Sequence, residues 1–257
     1  VRKILFSLFL VSLLWSCAPT SRIILTSEQI RLHREIIHQI QARLNKIHTL
    51  SGVARVIIRT SEGTYSAEEF IRLKRPDALR LETWNPMGGL QILLVARGEQ
   101  GTVVIPGEGR IYHISTEREY LKRFVGVDLT VTDLYTLLTG TPPLSSAEPE
   151  RIKTRQENGR TLVQILKGTR IIQKIWIDNN GRVLGWERLN TQGEPVETIV
   201  FDEFREVEGI FMPHLITFSE SGGSEFVLRY RSLLLNQTID DHLFEVPDLK
   251  QTSIHHE

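Results

Sequence analysis

Residues able to do chemistry are sparse in this chain, and one of them is unique. Cys17 is the single cysteine in 257 residues. Its thiol can serve as a nucleophile, a metal ligand or a site of covalent modification. The histidines are scattered. His33 and His38 do not share one face of a helix, and His255-His256 close the sequence before Glu257. Asp240-Asp241 is an adjacent acidic pair, a pattern that a turn or a helix cap accounts for. No G-x-S-x-G elbow, P-loop, G-x-G-x-x-G or H-E-x-x-H motif is present. The expectation is a protein that is not an enzyme and takes no metal and no cofactor.

Charge narrows the classes further. There are 31 basic and 31 acidic residues, and the aromatic residues do not interleave with a basic stripe. That balance gives no footprint for nucleic acid. With 40% hydrophobic and 24% charged residues, the composition is that of an ordinary globular domain. A lone cysteine allows no disulfide within the chain.

The surroundings of Cys17 say more. Arg2 and Lys3 precede an almost unbroken apolar run over residues 4–14, and Leu14-Trp15-Ser16-Cys17 follows. A basic start, a short apolar run and a small residue before the cut describe an export signal. A spanning helix needs about 20 apolar residues. A cysteine directly after Ser16 resembles the bacterial lipobox, in which the thiol takes a diacylglyceryl group. The expectation is a signal peptide over residues 1–16, a lipidated tether over 17–26 and membrane attachment through Cys17. The alternative is an ordinary signal peptide with an incidental cysteine. Two ester-linked chains and one amide-linked chain would hold the protein permanently, because one chain alone binds only marginally.

Thr26 and Gln29 fit a capping box. Ile30, His33, Ile37, Ile40, Leu44 and Ile47 then follow helical spacing, with Ile36 beside them. This predicts an amphipathic helix packed on a sheet, with a membrane-surface helix as the alternative. From residue 51 the pattern turns to β. Strands are expected near 53–60, 65–73, 79–84, 90–96, 102–105 and 110–115, joined by tight turns. Helical segments at 117–124 and 132–138 interrupt them and stop at Thr139-Gly140-Thr141-Pro142-Pro143. Strands resume near 152–155, 161–167, 171–178, 183–189, 196–204, 211–219 and 225–233. Asn180-Gly181 is a strong hairpin signal among their turns. Residues 239–244 read as one helical turn. Alternation places Ala54, Val56 and Ile58 on one face against Arg55 and Arg59, and Leu79, Leu81 and Thr83 against Arg80 and Glu82.

The predicted class is mainly β (α+β). A single long antiparallel meander beside one long helix suggests a curved sheet that wraps around that helix. One domain over 27–247 and a loose tail over 248–257 complete the division. The inner face of such a sheet suits acyl chains, because apolar burial is non-directional. The expected lining is Ile37, Ile40 and Leu44 of the helix with Val56, Ile58, Leu79 and Leu81 of the strands. Inward residues that merely pack against the helix give the same periodicity. One loop stands out: Asn85-Pro86-Met87-Gly88-Gly89 brackets a methionine with turn residues. That places Met87 at an exposed tip, as a membrane or partner contact. A methionine folded inward to fill a core gap is the alternative.

These segments, in this order, resemble the LolA/LolB lipoprotein-carrier superfamily, and most of all its LolB-like outer-membrane members. The matching pieces are Cys17 in its lipobox, Leu50-Ser51-Gly52-Val53-Ala54-Arg55, Pro76-Asp77-Ala78-Leu79-Arg80-Leu81 and Asn85-Pro86-Met87-Gly88. Leu138-Thr139-Gly140-Thr141-Pro142 and the stretch from Asn236 to Pro247 follow. The likeness covers roughly residues 28–247. It implies an open half-barrel of about eleven strands with the N-terminal helix and the mid-chain helical insert over its concave face, an apolar cavity between them, and binding of lipoprotein acyl chains for release into the outer membrane. In LolB a similar Asn-Pro-Leu-Gly loop carries an exposed leucine needed for that release, and Met87 takes its position. Ala18, rather than Asp, after the cysteine resembles the signal for outer-membrane delivery. A soluble periplasmic carrier is the implied donor, and a monomer is expected. A second implied role is an envelope lipoprotein that uses the fold for protein contacts or stress sensing.

Overall fold

The computed structural model describes residues 27–98, 100–115, 130–142 and 151–246. Cys17, the expected signal peptide and tether, the helical segment expected at 117–124 and the tail expected at 248–257 lie outside the described residues.

One sheet organises the molecule. Its strands are β1 (Thr49–Thr60), β2 (Gly63–Lys74), β3 (Ala78–Trp84), β4 (Leu90–Arg97), β5 (Gln100–Ile105), β6 (Arg110–Ser115), β7 (Arg151–Glu157), β8 (Arg160–Lys167), β9 (Arg170–Ile177), β10 (Val183–Leu189), β11 (Pro195–Val207), β12 (Ile210–Glu220) and β13 (Glu225–Leu235). Among the described residues the sheet has thirteen strands, and each matches one of the strand segments expected from the sequence. The short β6 and the polar β7 remain hydrogen-bonded to their neighbours as its two edges. Spatial order is β6-β5-β4-β3-β2-β1-β13-β12-β11-β10-β9-β8-β7. Two antiparallel meanders thus meet where β1 pairs with β13, and the sheet stays open because β6 and β7 do not pair.

Alternation decides which face is inside. On β1, Ala54 and Val56 are buried while Arg55 and Arg59 are exposed. On β3, Leu79 and Leu81 are buried while Arg80 and Glu82 face out and pair with each other. Asp178 shapes the Asn180-Gly181 turn: its Oδ1 accepts from the backbone N–H groups of Asn180 and Arg182, both at 2.9 Å.

Two helices cover the inner face among the described residues: α1 (Ser27–Asn45) and α2 (Val131–Leu138). Helix α1 packs on β7. Ile36, Ile40 and, just past the helix end, Ile47 enter the main core. Ile37 is only partly buried, so the inward stripe is turned by about one residue from the expected one. The outer face of β3–β5 has its own cover. Ala78, Leu93, Val95 and Val104 pack against Ile239 and Phe244 of the C-terminal segment. That segment forms the expected turn at Asp241–Phe244, with the Asp240 carboxylate accepting from the His242 N–H at 3.0 Å.

Candidate functional site

The inner face is not filled everywhere. Helix α2 has only eight residues and cannot span the first meander. Between it and strands β1–β5 and β13 lies a cavity of about 760 Å³, within the usual range for ligand sites. Leu81, Ile92, Leu94 and Val103 line it from β3–β5, Val56, Ile58, Phe226 and Leu228 from β1 and β13, and Leu134 and Leu138 from α2.

Of the residues expected in the lining, Val56, Ile58 and Leu81 are there. Leu79 is not: it is fully buried in the core, two residues further along the same face. Ile37, Ile40 and Leu44 do not line it either, because α1 covers the other half of the sheet. The space beside α1, about 510 Å³, is lined mostly by polar groups such as Glu35, Gln39, Thr154 and Gln156, which do not suit an acyl chain. The helix that walls the apolar cavity is the mid-chain one.

Three turns ring the mouth. Thr60, Ser61 and Glu62 come from the β1–β2 turn, Ser224 from the β12–β13 turn, and Asn85 from the β3–β4 turn. Asn85 also builds the methionine tip. Its Oδ1 accepts from the backbone N–H groups of Met87 and Gly89, both at 2.9 Å, and its backbone carbonyl accepts from Gly88 at 3.0 Å. Gly88 takes φ +84°, which a side chain rarely adopts. This small scaffold leaves Met87 97% exposed. The tip is outside the cavity, yet the residue at its base is part of the cavity wall.

Helix α2 is held at both ends. Thr130 and Asp133 form a reciprocal capping box at 2.9 and 3.0 Å. At the other end, the Tyr230 hydroxyl donates to the Leu138 carbonyl at 3.1 Å. The Arg43 guanidinium donates to the carbonyls of Thr139 at 2.9 Å and Gly140 at 3.2 Å, and to Phe211 on β12 at 2.9 Å. A cation at the C-terminal end of a helix also suits its dipole. Burial pulls the Arg43 pKa down to about 10, so it stays charged at neutral pH. Gly140 completes the joint: at φ +66° it sits so close to Pro213 that a Cβ would meet the ring at 2.6 Å.

Sequence reasoning missed Glu69. It lines the cavity, is 8% exposed, and accepts from the Thr83 hydroxyl at 2.8 Å. Burial pushes its pKa up to about 8; the Thr83 bond opposes the shift and the nearby Glu82 adds to it. The signal was present in β2, where Glu69 shares the inward face with Ile71 and Leu73.

No family model matches the chain, and no curated protein matches it. Solved structures do. An outer membrane lipoprotein-sorting protein domain from Vibrio parahaemolyticus superposes with a TM-score of 0.59 at 17% identity, covering 82% of this chain and 94% of that one. A DUF1329 family protein from Desulfovibrio piger gives 0.62 at 14%, covering 84% and 97%. A LolA superfamily protein from Nitrosomonas europaea gives 0.57 at 13%, covering 81% and 97%. At these identities the likeness is one of fold: the chain shares its fold with these lipoprotein-sorting, DUF1329 and LolA-superfamily structures.

Proposed function

We propose, from a LolA/LolB fold as premise, that this protein is a lipid-anchored carrier that takes lipoprotein acyl chains into its cavity and passes them to the outer membrane. The observation that carries the reading is the apolar cavity under α2, open beside an exposed methionine tip. An acyl chain gains about 0.8 kcal/mol for each methylene it buries, and the cavity offers that burial without a specific partner. Cys17 anchors the body, residues 27–247 form the carrier domain, and a soluble periplasmic carrier delivers cargo to a monomer. Nothing in this scheme requires catalysis.

Binding comes first. A fluorescent fatty-acyl analogue should bind the Cys17→Ala protein at micromolar concentration and be displaced by unlabelled acyl chains. A folded, monomeric sample that binds none removes the carrier reading. Cys17→Ala should also move the protein out of the detergent phase in a partitioning assay. An unchanged distribution would show that the thiol carries no anchor.

Met87 should act after binding. Inserting its side chain into a membrane gains about 1.5–3 kcal/mol, enough to bias where cargo leaves but not to hold the protein there. Met87→Glu should keep folding and acyl-chain affinity while slowing cargo transfer to liposomes by roughly tenfold or more. Loss of acyl binding in that variant, or transfer at the original rate, would refute the tip's role in release.

A further inference from the structure

Along β2 the cavity lining runs from Tyr65 at the mouth through Ala67 and Glu69 to Ile71 inside. Glu69 is thus a carboxyl group set partway into an apolar wall. Register places it beside Ala54 on β1 and Thr83 on β3, and α2 contributes Leu134 and Leu138 to the same cavity. No Lys, Arg or His lines the cavity among the described residues. Its other titratable lining groups, Glu62 and Tyr65, are exposed. Glu82 alternates to the outer face of β3, where Arg72 and Arg80 bond its carboxylate. A buried carboxylate kept for structure is expected to have a cation or several donors. Glu69 has one hydroxyl, and that hydroxyl occupies Oε2.

We propose that Glu69 is a recognition point for the acyl linkage: its neutral carboxyl donates a hydrogen bond to the carbonyl oxygen of an ester or amide, so the cavity prefers uncharged acyl-linked ligands to free fatty acid anions. This deepens the acyl-carrier reading and rests on it. The ligand's chain lies beyond Glu69, along Leu81, Leu94 and Val103, and its headgroup faces the polar mouth. A fatty acid carboxylate at the same place would give up its hydration in a space without a cation, and the Glu62 carboxylate at the mouth would repel it. The preference depends on the proton. Burial keeps it on Glu69 up to about pH 8. Above that, the ionised form can only accept, and it meets an ester oxygen that also only accepts.

Anisotropy of a fluorescent monoacylglycerol and of a fatty acid with the same chain and label tests this, using the Cys17→Ala protein. Acylglycerol affinity should fall roughly tenfold between about pH 7 and about pH 9. At about pH 7 the fatty acid should bind at least about tenfold more weakly than the acylglycerol. Glu69→Gln, whose amide donates at any pH, should keep acylglycerol binding and lose its pH dependence. Thr83→Val removes the donor that favours the charged form, so the midpoint of the profile should move to higher pH. A structural role for Glu69 would leave these profiles unmoved. Equal binding of the two probes, or the same pH dependence in Glu69→Gln, overturns the recognition role while leaving the carrier reading intact. Failure of both probes to bind any of these folded proteins overturns both.

Discussion

Arg43→Ala should destabilise the protein by about 2–4 kcal/mol, because it unfastens α2 from the rest of the fold. The guanidinium ties the carbonyls of Thr139 and Gly140, just past α2, to the Phe211 carbonyl on β12. Alanine leaves these acceptors to be satisfied by water or not at all. The gain from no longer burying a cation offsets part of the loss. Lysine should not restore it, since one ammonium cannot reproduce a planar fork spread over three carbonyls. For a domain of this size the change corresponds to a fall in Tm of roughly 5–15 °C. Amide exchange should speed up first around 131–141, because Tyr230 and the Thr130 cap cannot hold α2 alone. A melting temperature equal to that of the parent would mean that Arg43 contributes nothing to the joint. The same variant should bind acyl chains less well, as Leu134 and Leu138 of α2 form the cavity's lid side.

Stability should also fall as pH rises from about 4.5 to about 8, on account of Glu69 alone. In the unfolded chain this carboxyl ionises at its ordinary value. In the fold, burial holds it neutral to much higher pH. Between the two values the native state binds the extra proton, so each step up in pH favours unfolding. The contribution is intact below the unfolded pKa and exhausted above the folded one. Its full size is a few kcal/mol. Glu69→Gln has no proton to lose, and its stability advantage over the parent should grow through this window and then level off. Urea unfolding at about pH 5, pH 7 and pH 9 measures it. Parallel curves for the two proteins across that range would show that Glu69 is not held neutral.

The strand pattern was legible because the inner face is apolar and the outer face carries charge, as Ala54 and Val56 against Arg55 and Arg59 illustrate. The cavity was only partly legible. Alternation tells which face Leu79 and Leu81 share but not how far along it a covering helix reaches, so one lines the cavity and the other fills the core. Helix α1 misled for a related reason. Its apolar residues are broad enough to suggest more than one stripe, and Arg43 interrupts the buried one between Ile40 and Ile47. Nothing in an eight-residue helix marks it as the cavity wall; its neighbours across the sheet decide that. Glu69 breaks an apolar run on the inward face of β2. Such a break is the one local sign of a polar group kept for something other than packing.

The seam between β1 and β13 fixes the order in which this sheet can be completed. Leu50 pairs with Leu235 and Arg59 with Glu225, so the central pairing joins segments near opposite ends of the domain. Closing so long a loop gives the fold a high contact order, and it should form slowly compared with a helical domain of equal size. Until β13 arrives, β1 is a bare edge with its hydrogen-bonding groups unpaired, next to a finished meander. That edge is a template for another chain's strand. The interval before the seam closes is therefore when this protein is most exposed to aggregation, and a truncation that removes β13 would make that interval permanent.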